Sequence, residues 1–371
     1  MAAIELKFKQ LDKTGIILLL GTCGAGTVAF LIGLLLDSDH AWKVFLVNFL
    51  LWTGISVAGP VFSAIFELTN ARWATTQVRE LAESLAGFLP LSLFLYLILA
   101  IGGMGSLYPW ISDPPAGRAG WFSLIFFVCR GGIALILLVL VSGKFILASR
   151  RTRVPESSRP SHLTALAVST ILVYVCAFSL LAVDLVMSMD PDWYSTLFPA
   201  YFFMGNLYAG LAMIVVISYL WRRWTGVEEW FTQAIAQDFG KILLGFCLLW
   251  TYLMWSQFLV IWYGNLPEEL TFLILRSTGS WAPLAWVVLG LCFLVPFTSL
   301  ITRRMKQPHL LPLVSGVVLV GMWLERFLLI VPSRESGFEF IWVDLLISAG
   351  FVALFLLAQA YFSRWLEERE N

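Results

Sequence analysis

Ten times along its length the chain runs for roughly twenty residues with almost no charged side chain. Each run is long enough, at about 1.5 Å per residue in a helix, to cross a hydrocarbon core about 30 Å thick. Lipid offers no partner to a free N–H or C=O, so such a run crosses as a helix. Composition agrees, with 59% of the 371 residues hydrophobic and 13% charged, against roughly 25% charged in a soluble domain. The sequence predicts an all-α integral membrane protein forming a single transmembrane domain over 1–371.

The spans are expected at 15–36, 42–68, 84–103, 121–148, 163–189, 198–220, 240–263, 282–300, 311–331 and 340–362. Lys7, Lys9 and Lys13 precede the first in the manner of a secretory leader. Its apolar stretch is too long for one and no small-x-small cleavage site follows, so it reads as a retained helix. Of the 24 Lys and Arg, eighteen fall on one side of the spans. Five fall on the other (Lys43, Arg118, Arg276, Arg326 and Arg334), and Arg130 lies within a span. That asymmetry predicts both termini in the cytoplasm, with the loops beginning at Asp37, Met104, Asp190, Gly264 and Pro332 outside. The formal charge of zero hides this segregation; the basic side faces anionic lipid and no nucleic-acid partner is expected. Cys23, Cys129, Cys176, Cys247 and Cys292 all sit in apolar runs without CxxC spacing, as small interior residues.

The chain also carries the spacing of an internal repeat. Asn48 and Asn206 are 158 residues apart, as are the pairs Gly87-Phe88 and Gly245-Phe246. Trp121 and Trp281, expected to open the fourth and eighth spans, are 160 apart. Asp184 precedes Pro191 by seven residues, as Glu325 precedes Pro332, at a separation of 141. The drop follows if the polar linker at 149–162 is replaced by a short turn at 303–308. The expectation is two parallel four-helix bundles, 42–189 and 198–331, flanked by the first and tenth helices.

The chemistry is as informative for what it lacks. His40, His162 and His309 lie at the ends of spans, so they do not supply haem ligands paired across the membrane. There is no phosphate-binding glycine loop, no HExxH, and no nucleophile with a base beside it. No catalytic residue, metal site or bound cofactor is expected on this chain, nor enzymatic activity by itself. What remains are ionisable groups inside apolar spans, which are costly there and therefore functional candidates. Arg130 and Asp184 fall at similar depth in the fourth and fifth spans, about 13 and 10 Å in by helical rise. Pairing would cancel their desolvation costs, either as an inert lock or as a group that passes protons. Glu325 and Arg326 in the ninth span and Asp344 in the tenth form a second set. Glu67 and Glu83 stand at helix ends on the basic side, and Tyr174 and Tyr252 lie between the layers, where hydroxyls carry water wires or bond neighbouring helices. Asp190, Asp192 and Trp193 in one outer loop, with Glu268 and Glu269 in another, make an acidic, aromatic rim. Such a rim serves either as an interfacial belt or as a docking face for another subunit.

At SMDPDWYSTLFPAYFFMGN, DFGKILLGF, WSQFLVIWYGNLPEE and LERFLLIVPS the chain resembles the ActF family of membrane subunits of bacterial alternative complex III, within the NrfD-like polysulfide-reductase membrane-anchor superfamily. The resemblance runs from the second span to the tenth. It implies a multi-pass protein of the bacterial inner membrane, inside a quinol:cytochrome c oxidoreductase. It further implies a sister NrfD-like subunit, an iron–sulfur subunit and haem c subunits as partners, a terminal oxidase as an optional further one, and quinone as a ligand of the complex. The chain has no mid-membrane histidine to accept a quinol hydroxyl, which turns the expectation from quinol oxidation here toward bracing the complex and conducting protons. Two rivals remain. A quinone-binding anchor would house the ring in the outer part of spans two to five. A secondary transporter would show broken helices at the midplane, whereas Pro60 and Pro90 interrupt only the first half.

Overall fold

The computed structural model describes residues 13–71, 73–113, 117, 120–151, 162–227, 231–334 and 342–368. Ten helices among them are long and apolar enough to cross a membrane, and no strand accompanies them, so the chain is an all-α integral membrane protein. They are α1 (Lys13–Leu36), α2 (Ser38–Leu68), α3 (Thr76–Leu107), α4 (Leu124–Arg151), α5 (Leu163–Leu185), α6 (Phe198–Thr225), α7 (Gln233–Gly264), α8 (Gly279–Ile301), α9 (Leu311–Ile330) and α10 (Trp342–Glu368). The end of the bundle that carries Lys13, Arg151 and Arg222 is called the basic face below, and the other the opposite face. Most of the expected linker at 149–162 lies outside the described residues.

Several ends follow from local chemistry. Asp37 caps α2 by accepting from the His40 N–H at 3.1 Å, and Thr232 caps α7 by accepting from Ile235 at 3.3 Å. Gly226 at φ 73° and Asn265 at φ 51° end α6 and α7 in the left-handed conformation. The fourth helix starts at Leu124 rather than at Trp121. Trp121 is held in the preceding turn because its carbonyl accepts from Arg130 Nη1 at 2.8 Å and its ring stacks on that guanidinium at 3.9 Å. An additional helix, Pro267–Ser277, lies between α7 and α8, in the segment expected as the outer loop beginning at Gly264.

The helices are distorted in both halves, contrary to the expectation of breaks in the first alone. α2 passes through Pro60 without interruption. α3 tightens to a 3₁₀ turn at Leu85–Phe88 and widens to a π turn at Leu99–Gly103, while α8 carries a π turn at Gly290–Leu294. Pro296 has no N–H to offer the Cys292 carbonyl four residues before it. That carbonyl accepts instead from the Tyr208 hydroxyl at 3.0 Å and the Cys247 thiol at 3.5 Å, as membrane helices require of any freed backbone group.

α2 sits at the centre, packed by α3, α5, α6, α9 and α10. Its whole apolar window is buried inside the protein, whereas α1, α4 and α7 face outward over most of theirs. The pairings run in parallel in two sets of four: α2 on α5 as α6 on α9, α4 on α5 as α8 on α9, and α5 on α6 as α9 on α2. α1 and α10 lie side by side, with Gly26 and Gly350 so close that a Cβ on Gly26 would meet the Gly350 Cα at 2.6 Å.

Candidate functional site

Enclosure lets α2 carry polar side chains on any of its faces without exposing them to lipid. At its opposite-face end His40 Nε2–H points between the Asp344 oxygens of α10, at 3.0 and 3.1 Å. Two turns further, Asn48 Nδ2 donates to Ser348 Oγ of α10 at 2.9 Å. Thr53 follows, then Ser56, whose hydroxyl donates at 2.6 Å to the Leu85 carbonyl at the start of the 3₁₀ turn of α3. Near the basic face Ser63 donates to Glu83 Oε1 at 2.7 Å. The same oxygen accepts from Ser149 at 3.0 Å, and Arg150 Nε lies 3.4 Å from Oε2. From His40 to Ser63 the helical rise is about 35 Å, more than the hydrocarbon thickness of about 30 Å. Asn48 Oδ1 and Thr53 Oγ1 are buried along this line with no hydrogen-bond partner among the described residues, which is where internal water completes protein polar groups.

Two further buried ion pairs lie toward the opposite face. Arg130 of α4 forks onto Asp184 of α5, Nε to Oδ2 at 2.6 Å and Nη2 to Oδ1 at 2.7 Å. Such bidentate geometry is the strong form of the guanidinium–carboxylate bond. In α9, Arg326 Nη1 donates to Glu325 Oε2 at 2.5 Å, and Nη2 to Asn206 Oδ1 at 2.9 Å and the Phe202 carbonyl at 3.1 Å. Asn206 thereby stands against Gly54 of α2, where a Cβ would collide with its amide. Tyr174 lies beside Asn206 and donates to the Phe203 carbonyl at 2.5 Å. Asp184 takes its cation from the neighbouring helix and Glu325 from its own, so the two acids at matching sequence positions are satisfied differently.

Other expected residues are placed apart from these. Tyr252 is 64% exposed on α7, so it faces away from the interior and does not join a path there. Glu67 pairs with Arg79 at 2.9 Å near the basic face. Trp193 is buried and stacks on Phe272 of helix Pro267–Ser277 at 3.6 Å, which corrects its reading as a docking aromatic: the indole is spent fastening the loop to the bundle. Asp192 is exposed and Asp190 and Glu269 half-buried; the side chain of Glu268 lies outside the described residues. Burial pushes the Asp190 carboxyl up from its ordinary range, with Asp192 adding and Arg276 opposing. Burial also pulls the Arg276 guanidinium down to about 9, still charged at neutral pH.

The sequence reading missed the His40–Asp344 bond and the serines of α2. The signal for the serines is an apolar run with a hydroxyl or amide at Asn48, Thr53, Ser56 and Ser63. Among the described residues no three of His, Cys, Asp and Glu converge as metal ligands. The chain matches no protein-family model and has no significant match to a curated protein.

Proposed function

We propose that the chain is an integral subunit of a respiratory quinol:electron-acceptor oxidoreductase, bracing the assembly and passing protons along α2. The observation that carries the proton role is the succession of polar groups from His40 through Asn48, Thr53, Ser56 and Ser63 to Glu83, down a helix enclosed by protein. A polar series with no conducting role is an expensive thing to place across a bilayer. The respiratory setting rests on the resemblance to the alternative complex III membrane subunits. In that setting the basic face is cytoplasmic, Glu83 receives protons there, and the His40–Asp344 pair delivers them outside. The haem c and iron–sulfur centres belong to partner subunits, with Asp190, Asp192 and Glu269 on a docking rim. The π turns of α3 and α8 leave those helices continuous, so they do not supply the unwound half-helix ends on which a transporter site is built.

The test is proton translocation per electron by the intact complex in proteoliposomes, driven by quinol and an electron acceptor. Glu83→Gln and Asn48→Leu should lower the ratio while electron transfer continues. An unchanged ratio in both variants removes α2 from the path, and purification without haem or iron–sulfur partners removes the subunit reading altogether.

A further inference from the structure

At the basic face a cavity of about 720 Å³ opens where the end of α6, the start of α7 and the turn before α9 meet. Tyr219, Arg222 and Arg223 line it from α6, Thr232 and Gln233 from α7, and His309 from the turn. Gly226 and Pro308 complete the lining, so every side chain that reaches the cavity except Pro308 is polar. Arg222 is held at the wall by Nη1 donating to the Phe231 carbonyl at 3.0 Å. Thr232 Oγ1 accepts from the Ile235 N–H at 3.3 Å, which leaves its own hydroxyl hydrogen to donate. Tyr219, Arg223, Gln233 and His309 make no side-chain hydrogen bond or ion pair with the protein among the described residues.

The charge around the cavity is unbalanced. Residues 219–241 and 301–309 carry Arg222, Arg223, Lys241, Arg303, Arg304 and Lys306 against Glu228, Glu229 and Asp238, and Asp238 is engaged by Lys241 at 2.8 Å. The surplus is cationic before His309 is counted. Burial lowers the pKa of Lys306, and the like charges of Lys241 and Arg303 lower it further. Depth is set by Trp221 and Trp224, which flank the two arginines with ring centroids 5.6 Å apart, Trp224 being 42% exposed. Tryptophans at the end of a spanning helix lie at the level of the lipid headgroups. A donor-rich, cationic cavity at that level matches an oxyanion with several acceptor oxygens. A phosphodiester supplies them, and a guanidinium takes two of them at once. An acyl chain finds no apolar wall here beyond Pro308.

We infer that this cavity binds the phosphodiester headgroup of an anionic phospholipid, its oxygens on Arg223, Tyr219 and His309, with Thr232 and Gln233 completing the shell. The acyl chains run outside the bundle along α6, past Leu220, which is 51% exposed, and Trp224. Basic pockets between spanning helices take lipid headgroups in this way. The site is separate from the α2 path and assumes nothing about the respiratory setting.

The experiment uses the full chain with whatever subunits co-purify, in phosphatidylcholine nanodiscs that contain a trace of phosphatidylglycerol with a photoreactive diazirine on its headgroup. Labelling should saturate, map to residues 219–233 and 305–309, and be displaced by unlabelled phosphatidylglycerol but not by added phosphatidylcholine. Arg223→Gln should weaken it about fivefold, the effect of one cation at the membrane surface, while Arg223→Lys keeps most of it. Arg151→Gln, on an exposed arginine of α4 at the same face, should leave it unchanged. Arg223 bonds nothing in the protein among the described residues, so its variants should melt as the wild type does. Equal losses in Arg223→Gln and Arg151→Gln would reveal a diffuse surface potential and overturn the site, as would labelling elsewhere or displacement by phosphatidylcholine. Abolition of labelling by millimolar inorganic phosphate would give the cavity to a soluble anion and overturn the lipid assignment. None of these arms reads the proton-per-electron ratio that tests α2.

Discussion

Asp184→Asn should destabilise the protein more than removal of the whole ion pair does. In the native structure Arg130 spends two N–H groups on Asp184 at 2.6 and 2.7 Å and a third on the Trp121 carbonyl at 2.8 Å, and both charged side chains are buried. Asparagine supplies one acceptor where the carboxylate supplied two, and turns an amide N–H toward the guanidinium. The cation stays buried, kept in place by the Trp121 ring at 3.9 Å, with nothing to balance its charge. Breaking one side of such a pair costs about 3–5 kcal/mol, whereas replacing both partners with apolar residues of similar volume is often neutral or stabilising. Arg130→Met combined with Asp184→Leu should therefore lie within about 1 kcal/mol of the wild type. The assay is reversible unfolding in mixed micelles, followed by circular dichroism for the wild type, the singles and the double. If Asp184→Asn costs less than about 1 kcal/mol, or the double falls at the sum of its singles, the two groups are not energetically coupled and the reasoning fails.

Three other outcomes follow from described contacts. Tyr208→Phe leaves the Cys292 carbonyl only the Cys247 thiol and should cost about 1–3 kcal/mol; adding Pro296→Ala restores a backbone N–H and should recover part of it, so strict additivity in the same unfolding assay counts against the account. Trp193→Ala removes the stack on Phe272 at about 3–5 kcal/mol, and limited proteolysis should then cut within 264–278, where an unchanged digestion pattern would show the helix held by other means. Asp190 has its pKa raised by burial, so the folded protein holds that proton more tightly than the unfolded chain. Stability contributed at low pH is lost as pH rises from the ordinary aspartate value of about 3.9 through the raised one. Asp190→Asn should narrow the fall in melting temperature over that window, and identical pH profiles for variant and wild type would contradict it.

The sequence made some of this legible and concealed the rest for physical reasons. Counting depth along two consecutive spans was enough to bring Arg130 beside Asp184, because α4 and α5 run antiparallel and each residue was counted from the opposite-face end of its span. The phase of a lipid-embedded helix is harder. α7 is apolar all round, so no stripe distinguishes Tyr252, which faces out, from Trp250, which is buried. Trp193 and Tyr194 are both interfacial aromatics by composition, yet one is buried and the other exposed. The helix at Pro267–Ser277 did carry signals, with Pro267 at its first turn, Glu269 near its start and Arg276 in its last turn, each where a helix favours it. They were masked by the belt of aromatics around them. The cavity lined by α6, α7, α8, α9 and helix Pro267–Ser277 has no sequence signature, since its walls meet only after those helices pack.

The bonds between α2 and α10 set a schedule for biogenesis. His40 and Asn48 enter the membrane among the first helices made, while their partners Asp344 and Ser348 lie 304 and 300 residues further along the chain. During nearly all of synthesis these side chains must be kept by water, by the insertion machinery or by provisional neighbours. The tenth helix is thus the one that completes the second. A chain cut short before Trp342 would show its damage in α2, a helix the truncation never touched, and quality control acting on unsatisfied polar groups there would sense whether α10 had been made.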